Sequence, residues 1–270
     1  NSKNEQKFVD YNKINFYKYT NLLDFKDILT KLNPKCVISS GGKFSFKIVN
    51  LAKIINIPCY LLEPNYYPGL TNILNSVDSI VLSPCSNYYN LYADKVIKYD
   101  NPIRINHGKK LEINTYKKYK LFISSGTNGV FKLNKFILKN IKILEDNDIY
   151  VIWQTGINKI IDYKSINSMI KPYFNDIQSV YNISDLVITT GGVNTLQELI
   201  QYNIPIISIP SNNTKHDHHI HNVIALKNSI EKVIFIKHLD DSNLIYDIIN
   251  IVKKEKDNKN IIHNINDNEL

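Results

Sequence analysis

The residues of this chain best suited to chemistry form two glycine-rich turns. Thr-Thr-Gly-Gly at 189–192 and Ser-Gly-Thr-Asn-Gly at 125–129 each stand between an apolar run and a helical pattern. Glycine permits positive φ and a close approach of the backbone to a ligand. A helix that begins directly after such a turn points free N–H groups and a partial positive charge at the same place. Two such turns in one domain predict a site for a nucleoside diphosphate.

Glu198 lies about one turn into the helix predicted after the second glycine pair. Its carboxylate can accept hydrogen bonds from two vicinal hydroxyl groups, which is what a ribose offers. Thr195 and Glu198 also have the spacing of a capping box, in which the glutamate only closes the helix end. The residues alone leave both interpretations open.

The first turn, in SSGTNGVFKLN at 124–134, has neither the Walker lysine nor a complete GxGxxG. It therefore supports neither an ATPase nor a nicotinamide-dependent enzyme.

In KHDHHIHN at 215–222, His218 and His221 are three residues apart and could share a helix face. The cluster can bind a metal or donate hydrogen bonds to phosphate or sugar. No second group with metal-ligand spacing accompanies it, so we predict no metal site.

The first half of the chain carries polar groups where strands are predicted to end, in SSGG at 39–42 and EPNYYPGLTN at 63–72. Glu63 directly follows an apolar strand, and a solvated loop carboxylate is its ordinary interpretation. Trp153, within an apolar run of the second half, is expected in the core.

The elements that must position these turns alternate between strand and helix. Near-continuous apolar strands with intervening helices predict an α/β fold of parallel sheets covered on both faces. The patterns place strands at 36–40, 59–62, 79–83, 121–126, 149–156, 186–190, 206–210 and 232–236. They place helices at 22–32, 44–55, 70–74, 131–144, 177–182, from 194, 216–227 and 244–254.

Residues 99–119 interrupt this alternation with a polar, basic stretch that contains a proline. We predict a first α/β domain at 1–105, a linker at 106–119, a second α/β domain at 120–256 and a polar tail at 257–270. In such folds the ligand binds in the cleft at the carboxyl ends of the strands.

Composition narrows the class of protein. The net charge of +8 favours an anionic partner, but the lysines are spread along the chain and no nucleic-acid-binding motif is present, so we expect no nucleic-acid partner. The three cysteines form no CxxC pair, which favours a reducing compartment. No apolar run approaches the length of a membrane span.

Taken together and in order, the motifs resemble the MurG family, the bacterial UDP-N-acetylglucosamine transferases of peptidoglycan lipid precursors. The resemblance covers about residues 35–229. It rests on GG at 41–42, LLEPNYYPGLTN, DNPIR, SSGTNGVFKLN, WQTG, FNDI, TTGGVNTLQELI and HDHHIHN. Each motif is moderately specific, and the ordered set is strongly so.

The resemblance implies a GT-B fold, which has two Rossmann-like domains with a cleft between them, here with the first domain incomplete. It implies inverting transfer of GlcNAc from UDP-GlcNAc to a muramyl peptide on undecaprenyl diphosphate, without a metal or other cofactor. It also implies peripheral attachment to the cytoplasmic face of the bacterial inner membrane.

The resemblance assigns roles residue by residue. Glu198 would bind the ribose, Phe174 would present its backbone to the uracil, and Arg104 would lie at the hinge of the cleft. The other predicted UDP-GlcNAc-binding residues are Thr127, Gly129, Gly191, Gly192, Val193, Thr195, His218, His219 and Asn222. The predicted acceptor-binding residues are Gly41, Gly42, Glu63, Asn65, Thr71 and Asn72, with Glu63 as the candidate base.

The chain departs from the family pattern at several positions. Lys43 replaces an aromatic residue after GG, Leu62 and Pro64 replace His and Gln around Glu63, and His219 replaces a glutamine. The family's amino-terminal glycine-rich loop has no counterpart in this sequence. The alternatives are therefore a degenerate homologue, a non-catalytic sugar-nucleotide-binding subunit that relies on a partner chain, and another GT-B UDP-sugar transferase.

Overall fold

The structure is a computed structural model that describes residues 15, 22–42, 44–84, 91–103, 111–157, 161–210, 218–229 and 234–267. The chain divides into two compact units. The first contains Asn1–Glu63 and Pro68–Tyr99, and the second contains Pro64–Tyr67 and Asp100–Leu270. The short segment Pro64–Tyr67 thus belongs to the second unit although its neighbours on both sides belong to the first.

The first unit is built on a four-stranded parallel sheet in the order β1-β2-β3-β4. The strands are β1 (Val37–Ser39), β2 (Cys59–Leu62), β3 (Ile80–Ser83) and β4 (Lys95–Lys98). The helices are α1 (Leu22–Leu32), α2 (Ser45–Ile54) and α3 (Leu70–Asn75). Alternate residues of β2, Cys59 and Leu61, enter one core together with Val49 and Ala52 of α2.

The second unit is built on a six-stranded parallel sheet in the order β10-β9-β8-β5-β6-β7. The strands are β5 (Tyr119–Ser124), β6 (Ile149–Gln154), β7 (Ser168–Lys171), β8 (Leu186–Thr189), β9 (Ile206–Ser208) and β10 (Ile234–Ile236). The helices are α4 (Phe131–Asp146), α5 (Ile177–Tyr181), α6 (Val193–Gln201), α7 (His218–Ser229) and α8 (Leu244–Asp267).

Helices cover both faces of the six-stranded sheet. Leu121 and Ile123 of β5 pack into a core shared with α4 and α8, and Phe122 between them packs into a core shared with α5, α6 and α7. This alternation is the period of two that a strand imposes on its side chains. Because both faces are buried, β5 and β8 read in the sequence as continuous apolar runs.

The strand order reverses between β5 and β8, since the chain winds outward from β5 through β6 to β7 and then returns to place β8 on the other side of β5. Doubly wound sheets bind ligands at this reversal, outside the carboxyl ends of the two strands. Both glycine turns follow these two strands, so the topology brings them to the same place.

The α/β class and the parallel sheets predicted from sequence are confirmed. The pattern analysis missed two strands, β4 and β7, which lie at sheet edges and are half exposed. The range predicted as a polar tail is helical through Asp267 as the end of α8. In the stretch predicted as a linker, Leu111 and Ile113 pack against the core of the second unit. None of the helices in the described part of the chain is both long enough and apolar enough to span a membrane.

Candidate functional site

The two glycine turns leave the sheet side by side. Ser124, the last residue of β5, is paired with Thr189, the last residue of β8, and also with Gln154 at the end of β6. Three adjacent strands therefore end at one level, and the segments that follow them start from a common edge of the sheet.

The turn after β8 has one glycine that packs and one that faces open space. At Gly191, where φ is +89°, an added Cβ would lie 3.0 Å from His219 O and 3.0 Å from Val223 Cγ2. Glycine is therefore required there. Its close contacts place the first helical turn of α7 against the glycine turn at 189–192. At Gly192 an added Cβ would meet no atom within 4 Å.

Helix α6 begins at Val193 with Gly192 as its N-cap, and no side chain caps it. The N–H groups of a first helical turn have no acceptor within the helix. The side chain of Val193 is buried in the unit, so only its backbone can meet a ligand. The amino end of α6 next to the open Gly192 is suited to a phosphate.

The environment of Glu198 excludes one of the two interpretations of the sequence. Gly192 is the N-cap and Thr195 lies inside the helix, so the capping-box interpretation is wrong. Glu198 Oε2 instead accepts a hydrogen bond of 3.1 Å from the hydroxyl of Tyr181, which is 1% exposed. Burial raises the pKa of Tyr181 well above 10, and the charge of Glu198 raises it further. The phenol is therefore a permanent donor that holds the half-buried carboxylate.

The turn after β5 lies directly on the backbone of Gly156. An added Cβ on Gly156 would come within 2.1 Å of Gly129 N and 2.6 Å of Asn128 C. The Ile157 N–H donates to Thr127 O at 2.9 Å from the same side. Gly126, with φ of +72°, has open space where a side chain would stand. One side of the turn thus packs on the backbone of Gly156, and the side at Gly126 is open to a ligand.

A buried polar network fixes the base of this turn. Ser125 Oγ donates to Asn134 Oδ1 at 2.5 Å, and Trp153 Nε1 donates to the same oxygen at 3.2 Å. Asn134 Nδ2 donates to Thr155 O at 2.8 Å. Every polar atom of the Asn134 amide is used, which explains how an asparagine is accommodated inside a core helix face. Trp153 is fully buried, as predicted.

Gln154 connects the turn to the predicted uracil-binding residue. Its Nε2 donates to Gly126 O at 3.4 Å, and its Oε1 accepts from the Phe174 N–H at 3.1 Å. The N–H of Phe174 is therefore engaged within the protein, and its ring packs edge-on against Phe122 with centroids 6.0 Å apart. The backbone carbonyl is therefore the group of Phe174 that is suited to a hydrogen bond with the uracil.

The first turn of α7 carries the predicted sugar-binding histidines. His219 Nδ1 is buried and has no hydrogen-bond partner among the described residues. Burial lowers the pKa of His219 below 6.5, and the charge of His218 lowers it further. His219 is therefore a neutral imidazole beside Gly191, able to exchange hydrogen bonds with a hydroxyl group.

Asn222, which the resemblance predicts at the donor sugar, already has hydrogen-bond partners within the protein. It is fully buried, its Oδ1 accepts from the Tyr66 N–H at 2.9 Å, and its Nδ2 donates to Asn65 Oδ1 at 3.1 Å. Asn65, predicted on the acceptor side, lies in the second unit with Asn222. The two amides bind each other, so the structure brings together two residues that the sequence assigned to different substrates.

Three other predicted acceptor residues meet in the first unit. Glu63 is 1% exposed, and its Oε2 accepts hydrogen bonds from the Gly69 N–H at 2.7 Å and from Asn72 Nδ2 at 2.9 Å. Asn72 Oδ1 would lie 3.3 Å from a Cβ on Gly41. The solvated-carboxylate interpretation of Glu63 is wrong, and its contacts indicate that it holds the loop before α3. Gly42 faces open space, and Thr71 lies half-buried in α3.

Some of the residues singled out in the sequence lie outside the part of the chain that the structure describes. Arg104 lies outside the described residues, as do His216 and Asp217 of the histidine cluster. Within the part of the chain that the structure describes, no group of three or more His, Cys, Asp or Glu side chains is placed to hold a metal ion.

The structure adds residues that sequence reasoning assigned no role. Gln154 and Gly156 belong to the WQTG motif, whose position after a strand was the available signal. Asn101, in DNPIR, donates from Nδ2 to Pro64 O and to Gln197 Oε1, both at 2.8 Å. Tyr181 carried no signal, because nothing in its surrounding sequence predicts the contact with Glu198.

A groove of about 690 Å³ lies along α4 in the second unit, and its lining begins at Val130, directly after the turn at 125–129. Apolar residues and lysines of α4 line it together with Ile209, Pro210 and Leu239. None of the predicted UDP-GlcNAc-binding residues lines it, although Val130 directly follows Gly129.

Comparisons with known proteins identify the relatives of this chain. Residues 120–269 match the model of the glycosyltransferase family 28 C-terminal domain. The UDP-N-acetylglucosamine--N-acetylmuramyl-(pentapeptide) pyrophosphoryl-undecaprenol N-acetylglucosamine transferase of Flavobacterium psychrophilum is 31% identical over 87% of this chain and 69% of its own length. The protein of the same name from Finegoldia magna is 31% identical over 93% of this chain and 72% of its own length.

The crystal structure of Acinetobacter baumannii MurG superposes with a TM-score of 0.65 at 16% identity, over 93% of this chain and 80% of that chain. This likeness confirms the GT-B class predicted from sequence. The identity to the two curated relatives extends over most of the chain and over more than two thirds of each relative. The chain therefore belongs to glycosyltransferase family 28 and, within it, to the MurG family of N-acetylglucosamine transferases.

Proposed function

We propose that this glycosyltransferase moves GlcNAc from UDP-GlcNAc to the C4 hydroxyl of a muramyl peptide carried on undecaprenyl diphosphate. The observation that carries the proposal is the pairing of two open glycine turns at the β5–β8 strand reversal, with Glu198 in the helix that follows. The names of the relatives supply the donor and the acceptor, since both are named as transferring N-acetylglucosamine to a pyrophosphoryl-undecaprenol acceptor.

The donor is bound by backbone dipoles and one carboxylate. The diphosphate lies over Gly192 and the amino end of α6 on one side and over Gly126, Thr127 and Gly129 on the other. Glu198, held by Tyr181, accepts hydrogen bonds from the two ribose hydroxyls. The sugar lies toward His218 and His219, where the neutral imidazole of His219 can donate or accept.

The reaction is a single displacement with inversion. The acceptor O4 attacks C1 of GlcNAc from the face opposite to UDP, the C1–O bond to the β-phosphate breaks, and the O4 proton passes to a general base. Negative charge grows on the departing diphosphate, and the amide groups of the turns and the amino end of α6 stabilise it. This arrangement performs the role that Mg²⁺ has in metal-dependent transferases, so we propose that no metal or other cofactor is required.

The acceptor side is assigned to the first unit. Gly42 leaves open space for a ligand, and next to it Gly41, Asn72 and Glu63 form one hydrogen-bonded group. Because Glu63 is buried and its Oε2 already accepts two hydrogen bonds, we assign it the positioning of this loop rather than the role of base.

An apolar surface of the first unit is suited to a membrane that contains the acceptor. Ile54 is 75% exposed, Leu74 56% and Val77 49%. The segments that carry them are linked, because Lys53 Nζ donates to the carbonyl oxygens of Asn75 and Val77. Exposed apolar groups beside a lysine fit the interfacial region of an anionic bilayer. We propose that this Ile54–Leu74–Val77 surface attaches the protein peripherally to the cytoplasmic face of the membrane.

The donor site is tested by calorimetry with UDP and by a transfer assay with labelled UDP-GlcNAc and a short-lipid acceptor. We expect Glu198→Ala to weaken UDP binding by about 10- to 100-fold, the worth of hydrogen bonds to a charged group. Glu112→Ala, which changes an exposed carboxylate of the same unit, serves as the matched control and keeps full affinity. Equal affinity in Glu198→Ala and in the parent protein refutes the donor assignment.

The transfer assay tests whether the reaction needs a metal and whether the protein is catalytic at all. Transfer that continues undiminished in EDTA supports a metal-independent reaction, and its loss refutes that part of the proposal. Tight UDP-GlcNAc binding with no transfer to the lipid acceptor identifies a non-catalytic sugar-nucleotide-binding homologue instead.

A further inference from the structure

The groove along α4 is lined by the first half of that helix and by the segments that follow β9 and β10. Its floor is continuous with the core of the second unit, since Leu133 and Ile209 belong to that core. Val130, Phe136 and Leu239, which also line the groove, pack against the same core. The volume of about 690 Å³ lies within the range of small-molecule sites, which is roughly 300–1,000 Å³. The groove is therefore large enough for a ligand and apolar along its floor.

The α4 side of the groove carries three lysines. Lys132, Lys135 and Lys139 are spaced three and four residues apart, so they lie on one side of the helix. All three are exposed, and no hydrogen bond or ion pair joins any of them to another residue that the structure describes. Lys142, one turn further along α4 and outside the groove, is instead paired with Asp146 at 2.9 Å. The three lysines of the groove thus keep their charges available to a ligand.

The segments after β9 and β10 add little charge to the groove. Asp240 is the one carboxylate among the described residues that line it, so three ammonium groups face a single negative charge. Positive groups beside an apolar floor complement a ligand that has a negative head group and an apolar body. Three lysines along two helical turns favour a phosphate over a carboxylate, because a phosphate offers more charge and more acceptor oxygens.

We propose that this groove binds one molecule of a single-chain lipid phosphate, with its apolar chain along the floor and its phosphate group against the three lysines. The ligand enters as a separate molecule, because the apolar floor is recessed and continuous with the core. The proposed membrane contact is a different feature, the Ile54–Leu74–Val77 surface of the first unit. Since the groove ligand is neither the donor nor the acceptor of the sugar transfer, this proposal is independent of the proposed function.

Calorimetry with dodecyl phosphate, kept below its critical micelle concentration, tests the site in the full chain. We expect binding at one site that UDP does not displace. Inorganic phosphate and dodecanol should each bind at least tenfold more weakly, because each keeps only one part of the contacts. Equal binding of inorganic phosphate indicates a simple anion patch, and equal binding of dodecanol indicates a simple apolar pocket. Either result overturns the proposal, as does displacement by UDP, which would place dodecyl phosphate in the proposed donor site.

The lysines are tested together, because each exposed charge pair contributes little alone. The triple variant Lys132→Gln, Lys135→Gln and Lys139→Gln should raise the Kd for dodecyl phosphate about tenfold. Lys142→Gln, which changes the paired lysine outside the groove, is the matched control and should bind as the parent protein does. A triple variant that binds as tightly as the parent refutes the role of the lysines.

The apolar part of the site is tested at an exposed position. Phe131 lines the groove and is 63% exposed, so Phe131→Ala should keep the fold and raise the Kd for dodecyl phosphate about three- to fivefold. Leu138, 43% exposed on the same helix, does not line the groove, and Leu138→Ala should bind as the parent does. Equal losses in the two variants mean that the chain does not lie in the groove.

Other occupants of the groove give different results. A dimer in sedimentation that the triple variant disperses, with no binding of dodecyl phosphate, identifies a second copy of this chain as the occupant. A triple variant that loses binding to phosphatidylglycerol vesicles but binds monomeric dodecyl phosphate like the parent identifies contact of the lysines with a bilayer. Each of these two results overturns the proposal of a single bound lipid phosphate.

Discussion

The hydroxyl of Tyr181 donates a 3.1 Å hydrogen bond to Glu198 Oε2, which joins α5 to α6 beneath the glycine turns. Because burial and the carboxylate both raise the pKa of Tyr181, this donor stays protonated throughout the physiological range. The contact fixes the direction of a carboxylate that would otherwise rotate on the helix surface. The proposed ribose site is therefore preorganised before a ligand binds.

Removal of this hydroxyl should weaken the donor site without dismantling the unit. We expect Tyr181→Phe to reduce UDP affinity about three- to tenfold by calorimetry, since one hydrogen bond to a charged group is lost while the ring remains. Tyr246→Phe, at a 60% exposed position on α8, should change nothing. Unaltered UDP affinity in Tyr181→Phe would mean that the carboxylate needs no such support.

Gly192 allows the ligand space to be probed without a change in the fold. Its φ of −62° suits any residue, and an added Cβ would meet no protein atom within 4 Å. Gly192→Ala should therefore keep the melting temperature of the parent within about 1 °C. The methyl group would occupy the space assigned to the diphosphate, so we expect at least a tenfold loss of UDP affinity. A variant that binds UDP normally places the phosphates elsewhere.

Gly156 should give the opposite result. Its φ of +93° and the Gly129 backbone, 2.1 Å from an added Cβ, leave no room for a side chain. Gly156→Ala must displace the turn after β5, so we expect a loss of about 2–4 kcal/mol in the free energy of unfolding. Denaturant unfolding of this variant beside Gly192→Ala measures the contrast. Similar stabilities of the two variants would contradict the packing of the turn on Gly156.

The sequence predicted the buried strands of the fold because their side chains face cores on both sides. β8 is fully buried and reads as an unbroken apolar run. β4 and β7 were missed because each lies at a sheet edge, carries lysine at its end and leaves most of its side chains partly exposed. A strand of that kind has neither an apolar run nor a clear alternation, and only its neighbour in the sheet defines it.

The glycine turns were predictable from the sequence, but the partners of the site residues were not. Gly191 and Gly192 follow a strand and precede a helix within a few residues, so local patterns suffice. The contacts of Glu198 with Tyr181 and of Asn65 with Asn222 join residues that are distant in sequence. Glu63 was misjudged although its partners are near in sequence, because no local pattern predicts that Gly69 and Asn72 fold back onto its carboxylate.

His219 should make the protein less stable in mild acid. Its pKa is lowered in the folded state, first by burial and then by His218, whereas the unfolded side chain titrates near 6.5. Below that pH the unfolded chain binds a proton that the folded chain resists, so the contribution of His219 is complete above about pH 6.5 and is lost as the pH falls toward the folded pKa.

We expect His219→Gln to lose less of its melting temperature between pH 7 and pH 5 than the parent protein does. His238→Gln, at an exposed histidine, should follow the parent curve. Identical pH profiles for the parent and His219→Gln would show that His219 is not the group responsible.

The Ile54–Leu74–Val77 surface should govern attachment to membranes. We expect Ile54→Asp combined with Leu74→Asp to reduce co-sedimentation with vesicles of phosphatidylglycerol and phosphatidylcholine at least tenfold. Each substitution replaces an apolar side chain worth about 1.5–3 kcal/mol when fully buried, and adds a charge repelled by the anionic lipid. The proposed donor site lies in the other unit, so UDP affinity should remain that of the parent.

Ile166→Asp provides the matched control, because Ile166 is 81% exposed but belongs to the second unit. It should bind vesicles as the parent does. If Ile166→Asp releases the protein and the double variant does not, the membrane contacts the second unit instead. Binding that vanishes in 0.5 M salt but ignores both apolar changes would mean that the lysines alone attach the protein, since salt screens charge and leaves apolar burial intact.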